Sequence, residues 1–242
     1  KSDYSTHKIS ASRLACNNTS GGENTTWRSG GVWVRDNSTF TMCGGSITGN
    51  TTVWSGGGVY VGGSGKFYMH GGTISGNHTD ANCWGPDGAG VEIQNGTFTM
   101  YGGTISDNYE ENTGSYGGGG VCAHSSGTFT MYGGTINNNH SATDAGGVMV
   151  WGGGAMNIDG GTIRDNTADG AGGGICTNSN EFKISDNSVI ENNTAGRDGG
   201  GVFYYGYSSS NMTISESARI SGNTATRYGG GIYFDKEGSL TM

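Results

Sequence analysis

Proline and basic residues are scarce in this chain, and long apolar runs are missing. One proline occurs in 242 residues, and 12 Lys and Arg stand against 20 Asp and Glu, giving a formal net charge of −8. No apolar run approaches the roughly 20 residues of a membrane-spanning helix, and no signal peptide is recognisable. The scattered cations offer no surface to nucleic acid or anionic lipid. We expect neither a nucleic-acid partner nor membrane insertion, and the start at Lys1 indicates a processed chain or a piece of a longer one.

Zinc-type cysteine pairs are also absent. The five cysteines are Cys16, Cys43, Cys83, Cys122 and Cys176, and no two form a CxxC motif. In the repeat described below, Cys122 and Cys176 share a column two coils apart, about 9.6 Å, which is too far for a disulfide. Cys83 could reach Cys122, or the thiols could simply fill space. We predict no metal site and no cofactor.

A short pattern recurs along almost the whole chain. An isoleucine is followed three residues later by asparagine, and then by glycines before an aliphatic residue, as in residues 163–175 and 220–232. Repetition at a fixed period is typical of solenoids, in which a single repeat cannot bury its own apolar face. The 51 glycines are in phase with this repeat, which argues against disorder.

Aligned copies give three apolar columns. The first is Val32, Val59, Val91, Val121, Val148, Ile175, Val202 and Ile232; the second is Phe40, Phe67, Phe98, Phe129, Met156, Phe182, Met212 and Leu240; the third is Leu14, Ile47, Ile74, Ile105, Ile136, Ile163, Ile190 and Ile220. Apolar and variable residues alternate around each column, as in a strand with one buried face. The first column advances by 27 to 32 residues per coil.

This spacing predicts an all-β, single-stranded parallel β-helix of about eight coils, each with three short strands. The unequal loops favour the right-handed form. The whole chain, residues 1–242, is expected to form one domain. Residues 1–13 would be an N-terminal arm or partial coil, and residues 14–242 the repeat coils.

An asparagine lies three residues after each member of the third column. These residues are Asn17, Asn50, Asn77, Asn108, Asn139, Asn166, Asn193 and Asn223. Asparagine tolerates the left-handed conformation of a tight corner, and stacked side-chain amides bond to one another. We interpret the set as a structural ladder rather than a binding site.

Insertions concentrate in one corner of the coil. The step from ladder asparagine to first-column aliphatic is 9 residues in five coils, but 15 after Asn17, 14 after Asn77 and 13 after Asn108. In solenoids the face that tolerates insertions is often the binding face. This corner is therefore the predicted place for a ligand.

Ten Asn-x-Ser/Thr sequences occur, and four of them, at Asn17, Asn50, Asn77 and Asn139, fall in the ladder, where a glycan would break the stack. The candidate glycosylation sites are Asn18, Asn24, Asn37, Asn95 and Asn211. Either the protein is an extracellular glycoprotein or these sequences are accidents of composition.

Aromatic residues recur at outward positions of the strands. The candidates for ligand or protein contacts are Trp33, Tyr60, Phe203, Tyr233, Tyr101 and Tyr132. Exposed aromatics hold sugar rings or other proteins, whereas cross-strand aromatic pairs also simply stabilise a sheet. Both interpretations stay open.

A catalytic site is not predicted. Asp107, Asp165, Asp186 and Glu191 lie near the third strand, but in different coils and without a basic partner in register. Polysaccharide lyases and hydrolases need such groups close together.

The IxxNTA segment followed by GGGI resembles the repeats of the polymorphic outer-membrane proteins and related bacterial autotransporter adhesins. The match extends over residues 14–240, with Ile where that family has Phe. The resemblance implies a right-handed β-helix, a surface or secreted location, and adhesive or structural work.

The leading hypothesis is a non-enzymatic extracellular structural protein, a filament or surface-stalk subunit that associates with itself through head-to-tail stacking of open ends. One alternative is an adhesin or glycan-binding module that contacts glycans or host-surface ligands. The other is a polysaccharide-degrading enzyme.

Overall fold

The chain forms a parallel stack of short strands. The computed structural model describes residues 6–9, 13–15, 18–19, 30–81, 87–114, 116–206, 211–215 and 217–242, with side chains from residue 30 onward. Each strand pairs in parallel with its counterpart one coil further along, so the molecule is a parallel β-solenoid. The described residues contain no helix long and apolar enough to cross a membrane.

Four sheets run along the stack. We name them the phenylalanine sheet, the isoleucine sheet, the short sheet and the valine sheet. The phenylalanine sheet contains Thr6–Ile9, Thr39–Met42, Lys66–Met69, Thr97–Met100, Thr128–Met131, Ala155–Ile158, Glu181–Ile184, Asn211–Ile214 and Ser239–Thr241. The isoleucine sheet contains Arg13–Ala15, Ser46–Thr48, Thr73–Ser75, Thr104–Ser106, Thr135–Asn137, Thr162–Arg164, Val189–Glu191 and Arg219–Ser221.

The other two sheets complete each coil. The short sheet contains Asn18–Thr19, Thr51–Thr52, His78–Thr79, Tyr109–Glu110, His140–Ser141, Thr167–Ala168, Thr194–Ala195 and Thr224–Ala225. The valine sheet contains Val32–Val34, Val59–Gly62, Val91–Gln94, Val121–His124, Val148–Trp151, Ile175–Thr177, Val202–Gly206 and Ile232–Lys236. A further pair of strands, Asp87–Gly88 and Gly117–Gly118, joins two neighbouring corners.

The three predicted columns are confirmed, and their members are paired in register. Val91 pairs with Val121, Phe67 with Phe98, and Ile74 with Ile105. Their side chains form one continuous apolar core, in which most members are fully buried. Stacked phenylalanines lie 4.6 to 5.2 Å apart between ring centroids. Residues one repeat apart are therefore in contact, so the period of the sequence predicts which core residues pack against each other.

The prediction of three strands per coil was wrong, since the short sheet adds a fourth. Its strands have two residues each, directly after the ladder asparagine. Two residues are too few to show an alternating pattern. The buried column of this sheet holds mainly small residues, as at Thr52, Thr79, Ser141 and Ala168. The N-terminal segment Thr6–Ile9 also pairs with Thr39–Met42 and extends the phenylalanine sheet by one strand.

The asparagine ladder is confirmed from Asn50 to Asn223, while Asn17 lies outside the described residues. In each rung the side-chain amide donates to the Oδ1 of the next asparagine, at 2.7 to 3.0 Å. Backbone N–H groups of the ladder donate to the same oxygens, as Asn139 does to Asn166. The amide also bonds a carbonyl of the preceding coil, so every interior rung is satisfied at both ends.

One detail of the corner was predicted incorrectly. The left-handed residue is the one before the ladder asparagine, as at Gly76 (φ 61°), Asp107 (φ 56°) and Asp165 (φ 55°), and not the asparagine itself. A left-handed residue turns the chain so that the next side chain points inward. Glycine, aspartate and asparagine hold this position because they adopt positive φ at least cost.

The outward face of the valine sheet is not the exposed surface that alternation indicates. Cys122, Met149, Cys176 and Phe203 pack with Ala145 and Ala171 into a second apolar cluster. The corner segments that precede each valine strand fold back over this face and exclude water. Cys122 and Cys176 are free, buried thiols, and Cys83 lies outside the described residues. Burial raises the pKa of both thiols well above the ordinary value.

Candidate functional site

The last described coil presents an uncovered end face, formed by Ile220, Gly231, Ile232, Phe234 and Leu240. In interior coils the corresponding aliphatic and aromatic residues are buried. Here Ile220, Ile232 and Phe234 are half-buried, and Leu240 is 41% exposed. The end face therefore shows the cross-section of the core.

The glycines of the repeat report directly on coil stacking. A Cβ built on Gly147, Gly174 or Gly201 would lie 2.5 to 2.6 Å from the glycine carbonyl oxygen of the next coil. The nearest atom to a Cβ on Gly231 is Ile220 Cγ2, at 3.8 Å. Position 231 thus has the glycine that close coil contact requires in the interior, and among the described residues no coil makes that contact with it.

The ladder also has a direction. Asn193 donates both its backbone N–H and its side-chain amide to Asn223 Oδ1, each at 2.9 Å. Asn223 Nδ2 donates back to the Ile190 carbonyl, at 2.9 Å, and its Oδ1 is filled by Asn193. Within the described chain nothing accepts from the Asn223 backbone N–H. The Asn223 N–H is therefore a donor on the end face. The Asn223 carbonyl is an acceptor there, since the equivalent carbonyls of Asn166 and Asn193 accept from the N–H groups of Thr194 and Thr224.

A second candidate is a groove at the corner between the short and valine sheets. This corner groove has a volume of about 460 Å³, and its lining includes Tyr116, Thr143, Asp144, Asp169 and Arg197. These residues come from four successive coils, on the side of the solenoid where the insertions occur. Tyr116 stacks on Trp151 with centroids 4.8 Å apart, which fixes the ring at one edge.

Arg197 differs from the arginine that occupies the same position one coil later. Arg227 bonds Asp198 through Nε at 3.2 Å and also through Nη2, and this contact raises the pKa of Arg227. In the coil below Arg197, the position equivalent to Asp198 is Ala171, which has no carboxylate. Arg197 is exposed, and it makes no ion pair within the described part of the chain. Its guanidinium is thus available at the groove.

The two aspartates of the groove are held in place by their neighbours. Asp144 Oδ1 accepts a hydrogen bond from the Ala171 N–H at 2.6 Å, which anchors the carboxylate across two coils. Asp169 Oδ1 lies 3.1 Å from His140 Nε2, and the Asp169 side chain is 62% exposed. Both side chains therefore combine fixed positions with open hydrogen-bonding capacity.

A carboxyl group is buried close to the groove. Glu110 stands in a column that otherwise holds Thr, Ser and Ala, and its Oε2 accepts from Ser141 at 2.7 Å and from Thr143 at 3.3 Å. Its Oε1 is buried and has no hydrogen-bond partner among the described residues. Burial, only partly offset by the bonds from Ser141, Asn112 and Thr143, raises the pKa of Glu110 to about 7.

The long corners enclose this group. The segment after Glu110 passes directly over it, since a Cβ on Gly117 would lie 2.6 Å from the Glu110 carboxyl. Asn112 in the same segment donates to Asp87 Oδ2 at 2.8 Å, and Asp87 belongs to the preceding long corner. The extra residues of these two corners thus cover a buried acid and tie the corners together.

A second buried carboxyl lies on the outward face of the valine sheet. Glu92 Oε1 is 3.0 Å from His124 Nε2, and both side chains are nearly inaccessible to solvent. Glu92 Oε2 has no hydrogen-bond partner in the part of the chain that the structure describes. Among the described residues, no three His, Cys, Asp or Glu side chains are grouped as metal ligands.

The structure divides the predicted contact aromatics into two groups. Trp33, Tyr101 and Tyr132 are exposed, whereas Tyr60 and Phe203 are buried, at 3% and 9% exposure, and Tyr233 is half-buried. For Tyr60 and Phe203 the expected exposure was wrong, because the corner segments cover that face. Their predicted contact role therefore has no open surface.

The exposed tyrosines mainly contact one another. His70, Tyr101 and Tyr132 form a ladder with centroids 4.7 and 5.4 Å apart and nearly parallel rings. Both faces of Tyr101 are thus occupied by neighbouring rings. Sugars stack on aromatic faces, and this arrangement presents edges, so it favours the interpretation of a sheet-stabilising ladder.

The candidate glycosylation sites are placed unevenly. Asn37, Asn95 and Asn211 are exposed. Asn24 and the side chain of Asn18 lie outside the described residues. Asn95 has φ 61° and accepts a hydrogen bond from the Ser126 N–H at 3.2 Å. Glycosylation of these residues stays a prediction.

The acids considered for catalysis have local roles in the coils. Asp107, Asp165 and Asp186 have positive φ and occupy turns. Asp165 pairs with Arg164, and Glu191 lies 2.6 Å from Arg219 Nη2. The structure does not bring these four acids together.

Several notable residues were missed from sequence. Tyr116 and Arg197 lie in corner segments, and Trp151 is the last residue of a valine-sheet strand. All three lie outside the apolar columns, which were the basis of the sequence prediction. Glu110 could have been identified from the sequence. The position two residues after each ladder asparagine holds Thr, Ser or Ala in the other coils, and Glu110 is the one acid there.

The described architecture defines this chain as a parallel β-solenoid of stacked, four-sided coils. No protein-family model, no curated protein and no solved structure matches it. The resemblance to the polymorphic outer-membrane proteins therefore depends on the repeat motif alone.

Proposed function

We propose that this protein is a structural β-solenoid, a rod that extends by end-to-end stacking of coils on copies of itself. The observation that carries the proposal is the end face, where the last coil retains Gly231, Asn223 and the apolar columns in the form that interior coils use for stacking. In the interior, each of these features is matched by the next coil. A second copy would supply the same match.

The polarity of the solenoid supports a head-to-tail contact. Parallel strands present different backbone groups at their two edges, and the ladder ends in donors at Asn223. Between interior coils, a face of this kind always meets the opposite face of the next coil, so a second copy reproduces the native hydrogen bonds when it presents its opposite end. Contacts between unlike faces do not close, so they produce filaments rather than dimers. Open strand edges favour such pairing.

An extracellular location is part of the same proposal. Three candidate glycosylation sites, Asn37, Asn95 and Asn211, are exposed on the sides of the rod, where a glycan leaves coil stacking unaffected. The resemblance to surface-displayed adhesin repeats is in keeping with this location. Enzymatic removal of N-glycans from native material, followed by intact mass measurement, tests it.

The assembly is tested with the purified 242-residue chain. Sedimentation over a concentration series and electron microscopy should show rods whose length increases with concentration. Gly231→Val should fold normally, because Gly231 has negative φ and open space around its Cα, yet it should block assembly. Tyr132→Asp, on the side of the rod, is the matched control and should assemble like the wild type.

Two results would contradict the proposal. The wild-type chain could remain monomeric at high concentration, or Gly231→Val could assemble as well as Tyr132→Asp. In either case, stacking of copies would not be the role of the end face.

A further inference from the structure

The corner groove combines hydrogen-bonding groups of both signs with an aromatic ring. Asp144 and Asp169 offer acceptor oxygens, Arg197 offers a fork of donors, and the hydroxyl oxygen of Thr143, whose proton is donated to Glu110, offers an acceptor. Tyr116, 48% exposed and stacked on Trp151, adds an apolar surface at the edge. Ligand sites are typically concave, with a few convergent polar groups of this kind.

The groove is preorganised by the coils beneath it. Asp144 is fixed by the Ala171 N–H and Asp169 by His140, while the backbone N–H of Arg197 donates to the Gly170 carbonyl at 2.9 Å. Successive coils repeat every ~4.8 Å, so equivalent groups recur along the axis at about the length of a sugar ring. A rigid array of this kind binds with little loss of conformational entropy.

Arg197 supplies the argument for a ligand. In the next coil the same position is neutralised by Asp198, whereas Arg197 stands above Ala171 and faces the groove without a partner in the described chain. The groove thus has one guanidinium that makes no ion pair in the described chain, together with two carboxylates that retain open oxygens. Vicinal hydroxyls satisfy such a set, because each hydroxyl donates to a carboxylate and accepts from a guanidinium.

The charges also decide against other ligand classes. Two carboxylates in the groove and a chain charge of −8 oppose acidic polymers. A purely apolar ligand would desolvate Arg197 and both aspartates without compensation. We propose that the corner groove binds a neutral oligosaccharide lying along the rod axis across successive coils. This proposal is independent of end-to-end assembly, since the groove lies on the side of the rod.

The test is calorimetric titration with maltohexaose, cellohexaose, xylohexaose, laminarihexaose and chitohexaose, with oligogalacturonate as the acidic comparison. At least one neutral hexamer should bind with Kd below about 1 mM. Arg197→Gln and Asp169→Asn should each weaken it about tenfold, because each removes a charge-assisted hydrogen bond. Arg227→Gln, in the same column outside the groove, should leave Kd unchanged.

Thermal unfolding of each variant, recorded by circular dichroism, separates lost binding from lost folding. For the wild type, saturating hexamer should raise the melting temperature, and this shift should disappear in Arg197→Gln. The proposal fails if no neutral hexamer binds, if oligogalacturonate binds more tightly, or if a folded Arg197→Gln keeps the wild-type Kd.

Discussion

The two corners that flank the short sheet follow opposite rules. At the asparagine corner, every interior rung has the same length and the same hydrogen bonds, and no polar atom of the ladder amides is left over. The other corner, between the short and valine sheets, is called the glycine corner here. The step from ladder asparagine to valine column at this corner is 9 residues in five coils, but 14 after Asn77 and 13 after Asn108. The segments of this corner enclose Glu110, with an oxygen that has no partner among the described residues, and they form the corner groove.

The difference has a physical cause. A rung of the ladder must meet the rungs on both sides, so a change at one asparagine leaves two neighbours with unpaired groups. The glycine corner has only to return the chain to the valine column. Its fixed part is the residue pair just before that column, which is Gly-Gly in the described coils except for Ala89-Gly90. The segment between the short sheet and that pair can therefore vary in length, and it carries the polar side chains that are available to bind a ligand.

The largest expected effect tests the fixed part of the glycine corner. Gly147→Ala places a Cβ 2.5 Å from the Gly174 carbonyl oxygen, which cannot move without shifting a whole coil. We expect a loss of more than about 3 kcal/mol in the free energy of unfolding, measured in urea. Gly231→Ala is the matched control, and at low protein concentration it should change stability by less than about 0.5 kcal/mol. Equal losses would mean that glycine is required for reasons other than stacking.

The next effect concerns the ladder. Asn139→Ala removes the bonds from Nδ2 to Asn166 Oδ1 and to the Ile105 carbonyl, both at 3.0 Å. It also leaves the buried amide of Asn108 without its acceptor. We expect a loss of about 3 kcal/mol by urea denaturation. Asn37→Ala, at an exposed asparagine, should be nearly neutral. A loss under about 1 kcal/mol at Asn139 would show that the two corners tolerate change alike.

A smaller and pH-dependent effect is expected at Glu110. Its pKa is raised from 4.5 to about 7, so the folded state favours the neutral acid. Below pH 4.5 the group is protonated in both states and costs nothing. Between pH 4.5 and about 7 the unfolded chain releases the proton first, so stability falls as pH rises, and above about 7 the full cost remains.

Glu110→Gln removes this titration. The shift corresponds to about 3 kcal/mol at most, and the unpaired amide of glutamine offsets part of it, so we expect a gain of about 2 kcal/mol at pH 8. Urea denaturation from pH 4 to 8 should show a flatter profile for Glu110→Gln than for the wild type. Glu237→Gln, at an exposed position, should keep the wild-type profile. An unchanged slope in Glu110→Gln would place the buried charge elsewhere.

Much of the scaffold could be read from the sequence, because stacking makes each column a repeated side chain. Val91 above Val59, Phe98 above Phe67 and Ile105 above Ile74 follow from the period alone. The ladder asparagines follow from their constant distance after the isoleucines. The two-residue strands could not be predicted from the sequence, because a strand as short as Thr51–Thr52 shows no alternation of apolar and polar residues.

The candidate sites were only partly readable. The long corners indicated where extra chemistry lies, but the partners of Glu110, Asp144 and Arg197 come from other coils. Exposure of the valine-sheet face was misjudged because alternation reports which side of a strand faces the core. It does not report whether a corner segment folds over the other side, as happens at Cys122 and Phe203.

What the sequence determined by itself is the repeat, and with it the core columns, the ladder and the close glycine contacts, because each depends on one position meeting its own equivalent in the next coil. What only the tertiary structure decided is the environment between unlike positions. Arg197 makes no ion pair in the described chain because Ala171 stands where the next coil has Asp198, and Glu110 is buried because Gly117 passes over it. Such contacts depend on how corners of different length pack across coils, which no single period describes.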